Sequence, residues 1–301
     1  MTTAAPAHSI VVGVDDSGPS RVALLWACQE ATRRGRPLHL VHVYLISTVY
    51  AGVGVYTSLT GGEVARLSAV AEQTLDEALA FARGNTEGVD ITAATHEGSA
   101  AAALVADSSA ADLLVVGARG LGALRSALLG SVSTQVAMHS RAPVVVIKDL
   151  AETPQPRSGV TVGIDGHEDS QACLEFAFTQ ASSRGTSLDV VHAWASDRGK
   201  GKAAATDALG ADYELEPRRQ LLIDTALAGW TEKYPDVEVR QSVVHAHAVP
   251  ALVEHSATAQ LLVVGSRGRG GFAGLLLGSV SHGVLQHATC PVAVVPGVDH
   301  R

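Results

Sequence analysis

The sequence predicts an α/β protein made of two tandem, doubly wound parallel-sheet domains, and three observations carry that expectation. First, four blocks recur in order. Ile10-Val-Val-Gly-Val-Asp15 returns as Val160-Thr-Val-Gly-Ile-Asp165, and Leu40-Val-His-Val43 as Val190-Val-His-Ala193. Leu113-Leu-Val-Val-Gly-Ala-Arg-Gly120 returns as Leu261-Leu-Val-Val-Gly-Ser-Arg-Gly268, and Leu128-Leu-Gly-Ser-Val-Ser133 as Leu276-Leu-Gly-Ser-Val-Ser281. Second, strand-like and helix-like patterns alternate within each copy, which builds a sheet covered on both faces. Third, the runs at Ile10 and Leu113 are continuous Val/Ile/Leu, as in strands buried on both sides of a parallel sheet. The expected domains are residues 1–148 and 159–301, joined by a short, semi-rigid linker at 149–158 that carries two prolines.

In the first copy, strands are expected near Ile10 to Asp15, Leu38 to Tyr44, Val89 to Thr95, Leu113 to Gly117 and Val144 to Ile147. Helices are expected at Ser20 to Arg34, Val64 to Arg83, Ala100 to Ala106 and Ser131 to His139. Ser20 reads as the first N-cap and Gly35 as the residue closing that helix. The last strand of each copy follows a proline, Pro143 or Pro291, which suits a sheet edge open to pairing within the chain or between chains. Residues 46–62 and 196–216 carry no clear periodicity and differ between copies, so they read as long loops.

Composition narrows the function. With 47% hydrophobic and 17% charged residues the chain belongs among packed globular proteins. A net charge of −8 argues against nucleic acid as a main partner, because a phosphate backbone calls for a dense Lys/Arg face. Cys28, Cys173 and Cys290 are too scattered for a disulfide framework, which fits a reducing compartment. The amino terminus lacks the pattern of a secretory signal, and the apolar runs are strand-sized, so a cytoplasmic protein without a membrane partner is expected.

In an open α/β sheet a ligand sits beyond the carboxyl ends of the strands, where strand order reverses. Two features of each copy fall there. One is the acid ending the first strand, Asp15 or Asp165. The other is a glycine loop after the fourth strand: Gly117-Ala-Arg119-Gly120, nine residues, Gly130-Ser131-Val132-Ser133, matched by Gly265-Ser-Arg267-Gly268, nine residues, Gly278-Ser279-Val280-Ser281. Gly117 and Gly120 are expected to bring backbone close to a ligand. The helix opening at Gly130-Ser131 offers unpaired N–H groups to an anion. Ser131 and Ser133 would add hydroxyl contacts, and Arg119 or Arg267 a charge-assisted one. The plainer reading, that the glycines only shape a loop and Ser131 only caps a helix, is weakened by the repeated spacing. The acids admit two readings as well: accepting from a ribose or adenine edge, or capping the next helix.

Other motifs fail on inspection. Gly268-x-Gly270-x-x-Ala273 has the form of a dinucleotide fingerprint but follows the fourth strand and is broken by Arg125 in copy one. Gly13-x-x-x-x-Gly18 resembles a P-loop with Pro19 in place of the lysine. Asp15-Asp16 with Lys148 suggests a phosphate receiver, yet neither copy has an acceptor Asp ending the third strand. His245-x-His247 shows no third ligand, so no metal site is expected; His42 and His192 read as packed or backbone-bonded.

The spacing Gly-x-x-Gly, nine residues, Gly-Ser resembles that of ATP-binding universal stress proteins, and the resemblance spans nearly the whole chain twice. It implies, in each domain, a Rossmann-like five-stranded parallel sheet ordered 3-2-1-4-5 that binds ATP, with or without Mg²⁺. The adenosine would face Asp15, Ser17 and Val43 in copy one, and Asp165 and Ala193 in copy two. Gly13 and Val116 with the first glycine loop, and Gly163 and Val264 with the second, complete the expected sites. The resemblance further implies a regulatory or stress-response protein, often a homodimer, rather than a dedicated enzyme; slow ATP hydrolysis or nucleotide transfer is the alternative. Copy two has the more typical loop, Gly268 to Gly274, while copy one has the more typical Asp15-Asp16-Ser17 turn.

Overall fold

The computed structural model describes residues 4–45, 50–51, 55–56, 61–120, 129–148, 157–166, 170–195, 208–268 and 277–297. The chain divides into two compact units, Met1–Asp149 and Leu150–Arg301. The expected linker lies largely outside the described residues; its last residue, Ser158, already donates its backbone N–H to Thr258 of unit two.

Unit one runs β1 (Ser9–Val14), α1 (Gly18–Arg34), β2 (Leu38–Tyr44), a short antiparallel pair β3 (Tyr50–Ala51) and β4 (Val55–Tyr56), α2 (Gly61–Gly84), β5 (Ile91–Glu97), α3 (Ala100–Asp107), β6 (Ala111–Gly117), α4 (Ser131–His139) and β7 (Val144–Ile147). Its main sheet has the order β5-β2-β1-β6-β7, all neighbours parallel. Unit two runs β8 (Val160–Gly163), α5 (Ser170–Arg184), β9 (Leu188–Trp194), α6 (Ala208–Leu227), α7 (Trp230–Lys233), β10 (Val239–His245), α8 (Ala248–Ser256), β11 (Leu261–Gly265), α9 (Ser279–His287) and β12 (Val292–Val295). Its sheet repeats the order as β10-β9-β8-β11-β12, again parallel throughout. Strand order is therefore 3-2-1-4-5 in both units, and it reverses between the first and fourth strands.

The apolar runs form the cores. Ile10, Val11, Val12, Leu113, Leu114 and Val115 are fully buried, and so are Val160, Val162, Leu261, Leu262 and Val263. At about 25 cal/mol per Å² of apolar surface, such side chains supply most of the drive to fold. Gly35 closes α1 in the left-handed conformation, φ 59° and ψ 39°, with its N–H on the Ala31 and Thr32 carbonyls.

The first helix corrects the expected cap. Its N-cap is Ser17 rather than Ser20: the Ser17 hydroxyl accepts from the Ser20 N–H, and Pro19 sits in the first turn, where its missing N–H costs nothing. The two stretches read as loops also hold more structure than expected. Residues 61–62 open α2, and residues 208–216 belong to α6, which continues through Pro217. Residues 46–49, 52–54, 57–60 and 196–207 lie outside the described residues. None of the described helices is long and apolar enough to cross a membrane.

Candidate functional site

At the strand ends of unit one, Asp15 uses its two oxygens differently. Oδ1 accepts from the Ser17 N–H at 3.0 Å and from the Ser17 hydroxyl, which fixes the turn into α1. Oδ2 lies against Gly120: a methyl group built on Gly120 would stand 2.5 Å from it. Unit two repeats the arrangement with other partners. Asp165 Oδ1 accepts from the Ser170 hydroxyl at 3.0 Å, and its Oδ2 would lie 3.2 Å from a methyl on Gly268. Each strand-one carboxylate is thus held by one oxygen and turned to the glycine loop with the other. In unit one the N-cap of α1 is Ser17 rather than Asp15.

The base of each glycine loop is closed the same way. The Gly130 N–H donates to the Ala118 carbonyl and the Gly278 N–H to the Ser266 carbonyl, both at 2.7 Å. Gly130 and Gly278 then cap the nine-residue helices α4 and α9, and neither receives a side-chain cap bond. The first-turn amides of each helix therefore face the end of the loop with a positive dipole end behind them. Ser131 and Ser279 are exposed at the first helical position, Val132 and Val280 are half-buried, and Ser133 and Ser281 are buried. The residues between Gly120 and Leu129, and between Gly268 and Leu277, lie outside the described residues.

Several expected site residues also serve the fold. The space a methyl on Gly117 would need is held by the backbone of α1, with Pro19 C at 3.0 Å and Ser20 N at 3.2 Å. Gly265 stands in the same way beside the Arg267 carbonyl oxygen at 3.1 Å and Cys173 Sγ at 3.4 Å. Gly13 and Gly163 admit Leu104 of α3 and Leu252 of α8, whose methyls would come within 3.0 Å and 2.9 Å of an added Cβ. Val116 and Val264 are buried strand residues. The Ser133 hydroxyl donates to the Ala118 and Gly130 carbonyls, and that of Ser281 to the Gly265 and Ser266 carbonyls, so their protons hold the loop itself. Arg119 and Arg267 are half-buried on their loops.

The second strand ends beside the first through a histidine in each unit. His42 Nδ1 donates to the Val14 carbonyl at 2.8 Å, and His192 Nδ1 to the Ile164 carbonyl at 3.0 Å. The β1–β2 and β8–β9 registers, continued past the strand ends, bring half-buried Val43 and Ala193 level with the strand-one acids. Sequence reasoning placed these histidines as structural but missed their partner, which becomes visible only once β1 and β2 are in register. Among the described residues no group of three or more His, Cys, Asp or Glu side chains is arranged to hold a metal ion.

The fold and these strand-end constellations define a duplicated, doubly wound α/β module with a carboxylate and a glycine loop converging at the switch point. The family model for the universal stress protein family matches residues 6–148 and 158–296. A universal stress protein of Mycolicibacterium smegmatis is 37% identical over 297 residues, covering 98% of this chain and 99% of its own. A universal stress protein of Mycobacterium tuberculosis (strain H37Rv) is 37% identical over 294 residues, with coverages of 95% and 96%. A crystal structure of a universal stress protein from Archaeoglobus fulgidus shares the fold with a TM-score of 0.66, at 20% identity and 98% coverage of both chains. The chain belongs to the universal stress protein family, as a tandem member with two domains of that type.

Proposed function

We propose that each unit holds one adenine nucleotide, ATP with or without Mg²⁺, and that the nucleotide acts as a ligand or signal in a stress response. The observation supporting this reading is the convergence, twice in one chain, of a strand-end carboxylate oxygen on the glycine loop that leads into an uncapped helix N-terminus. The amides of α4 and α9, with Ser131 and Ser279 beside them, hold the phosphates. Arg119 and Arg267 add positive charge on the same loops. Asp15 and Asp165 accept from ribose or adenine, next to Val43 and Ala193. Mg²⁺, when bound, neutralises phosphate charge. The net charge of −8 favours such a small ligand over nucleic acid.

Binding rather than turnover fits the same residues. The loop supplies positioning, and positioning alone gives only slow hydrolysis; among the described residues no nucleophile or poised base accompanies it. The test is the nucleotide content of the purified protein, followed by calorimetry and phosphate release with Mg²⁺. Two bound adenine nucleotides per chain and negligible release support the proposal; many turnovers per minute would replace it with the hydrolase reading. Self-association as a homodimer is part of the same proposal, and sedimentation checks it.

A further inference from the structure

Unit one carries a buried cluster of titratable groups that the nucleotide reading does not use. His39 on β2 is fully buried, and its Nδ1 lies 2.8 Å from the Thr92 hydroxyl of β5. His96 on β5 places Nε2 3.6 Å from Oδ2 of Asp107, at the end of α3. His39 Nε2, His96 Nε2 and Asp107 Oδ2 are all buried atoms without a hydrogen-bond partner. His39 faces Thr92 and Val43 faces His96, so both imidazoles project from one face of the sheet, about 13 Å apart along the strands at their Cα atoms. Burial pushes the His39 imidazole below its ordinary value of 6.5; Asp107 pulls it up and His96 pushes it down.

We infer that His39, His96 and Asp107 form a proton-binding switch that loosens edge strand β5 and helix α3 of unit one in mild acid. The set is not arranged as a metal site, so the proton is the ligand it can take. Asp107 is the one charged side chain of α3 and can balance one imidazolium. Asp107 stands 3.6 Å from His96, while His39 is fully buried with its Nε2 unpartnered, a setting where a charge is costly.

The sign follows from linkage. Unfolded, His39 takes a proton near 6.5; folded, it resists until lower pH. Between those values the unfolded state binds more protons, so stability is full above about 6.5 and falls as pH drops below it. The surrounding titratable groups do not relieve this. On β2, His42 and Tyr44 alternate to the opposite face, as Glu97 does on β5, and β1 contributes none. His139 of the neighbouring α4 is bonded to the Gln135 carbonyl. Asp90 precedes β5, and the Asp112 carboxylate is taken by His8 and Arg36.

At the corresponding places unit two has Asp189, Arg240, Val244 and His255 in place of His39, Thr92, His96 and Asp107. Its β10 and α8 are therefore an internal control. The test is hydrogen exchange of the full chain at pH 7.5 and 5.5, corrected for intrinsic rates. We expect β5 and α3 to open more readily at pH 5.5, by at most about tenfold, the limit for one group at one pH unit below its unfolded value, while β10 and α8 stay level. His39→Gln should keep protection at pH 7.5 and lose the acid response. His96→Gln leaves Asp107 to His39 alone, brings the folded His39 value closer to the unfolded one and should shrink the acid response. An equal acid response in β10 and α8, or an unchanged one in both variants, overturns the inference. Nucleotide binding plays no part in the readout, so this result stands apart from that proposal.

Discussion

Asp15 and Gly120, 105 positions apart, meet at the switch point so closely that a methyl on Gly120 would stand 2.5 Å from the Asp15 carboxylate. Asp15 cannot simply swing away, because its other oxygen is bonded to the Ser17 N–H and hydroxyl. In unit two the equivalent separation is 3.2 Å, and Asp165 Oδ1 accepts from the Ser170 hydroxyl. The two sites share a plan but differ in tightness.

Gly120→Ala should therefore act on binding more than on stability, since Gly120 is exposed. Shifting a carboxylate that accepts from the ligand costs about one charge-assisted hydrogen bond, ~1.5–3 kcal/mol, or roughly ten- to a hundredfold in affinity. Gly268→Ala meets only a tight contact and should cost clearly less. Calorimetry on the two single variants reads this as one weakened site each. Equal losses from both, or none, would remove the carboxylate–loop relationship from the binding account.

Gly117→Ala should act the other way round. Its methyl would push on the Pro19 and Ser20 backbone at 3.0–3.2 Å, and backbone cannot yield as a flexible side chain can. Overpacking of this kind costs ~1–3 kcal/mol. Thermal unfolding of unit one should fall accordingly, while the unit-two site keeps its affinity. Unchanged stability with a selective loss of unit-one binding would return Gly117 to the ligand.

How much of this was legible in the sequence depends on how local each cause is. The parallel sheets could be read because Ile10–Val14 and Leu113–Val116 are apolar without interruption, and Gly35 because helix closure is a one-residue signal. The carboxylate and the glycine loop could be placed because the repeat put both at strand ends. The purposes of Gly13 and Gly117 could not be read: a glycine looks the same in sequence whether a ligand, a leucine or a helix backbone occupies its missing side chain. Ser20 was misread as the cap because its neighbour Ser17, equally suited, lies one turn earlier beyond Pro19. The start of α6 was missed because Pro217 interrupts the pattern, and the His39–His96–Asp107 cluster because it assembles from three separate elements.

The cysteines offer a check on the core that is independent of any ligand. Cys28, Cys173 and Cys290 are all buried, and burial raises the Cys28 thiol to about 11. Thiolate is the reactive form, so at pH 8 the folded chain should resist iodoacetamide and the denatured chain should take three labels. Mass spectrometry of the two samples decides it. Rapid labelling of Cys28 in the folded chain would mean that α1 does not pack as described.

The turn into α1 makes the final test, because two serines with similar sequence contexts should behave differently. Ser17 caps α1 and also donates to Asp15, so Ser17→Ala removes a cap worth ~1 kcal/mol and one of the bonds holding the carboxylate that faces Gly120, leaving the backbone N–H bond. Both stability and unit-one affinity should fall. Ser131 stands at the first position of α4 without a cap bond, Gly130 being the cap. Ser131→Ala should therefore leave unfolding within ~0.5 kcal/mol of the parent, as for an ordinary surface change, while lowering affinity through the lost phosphate contact. Denaturant unfolding and calorimetry on the pair separate the two roles. A stability loss in Ser131→Ala as large as in Ser17→Ala would assign that hydroxyl to the fold and leave the phosphates to the α4 amides alone.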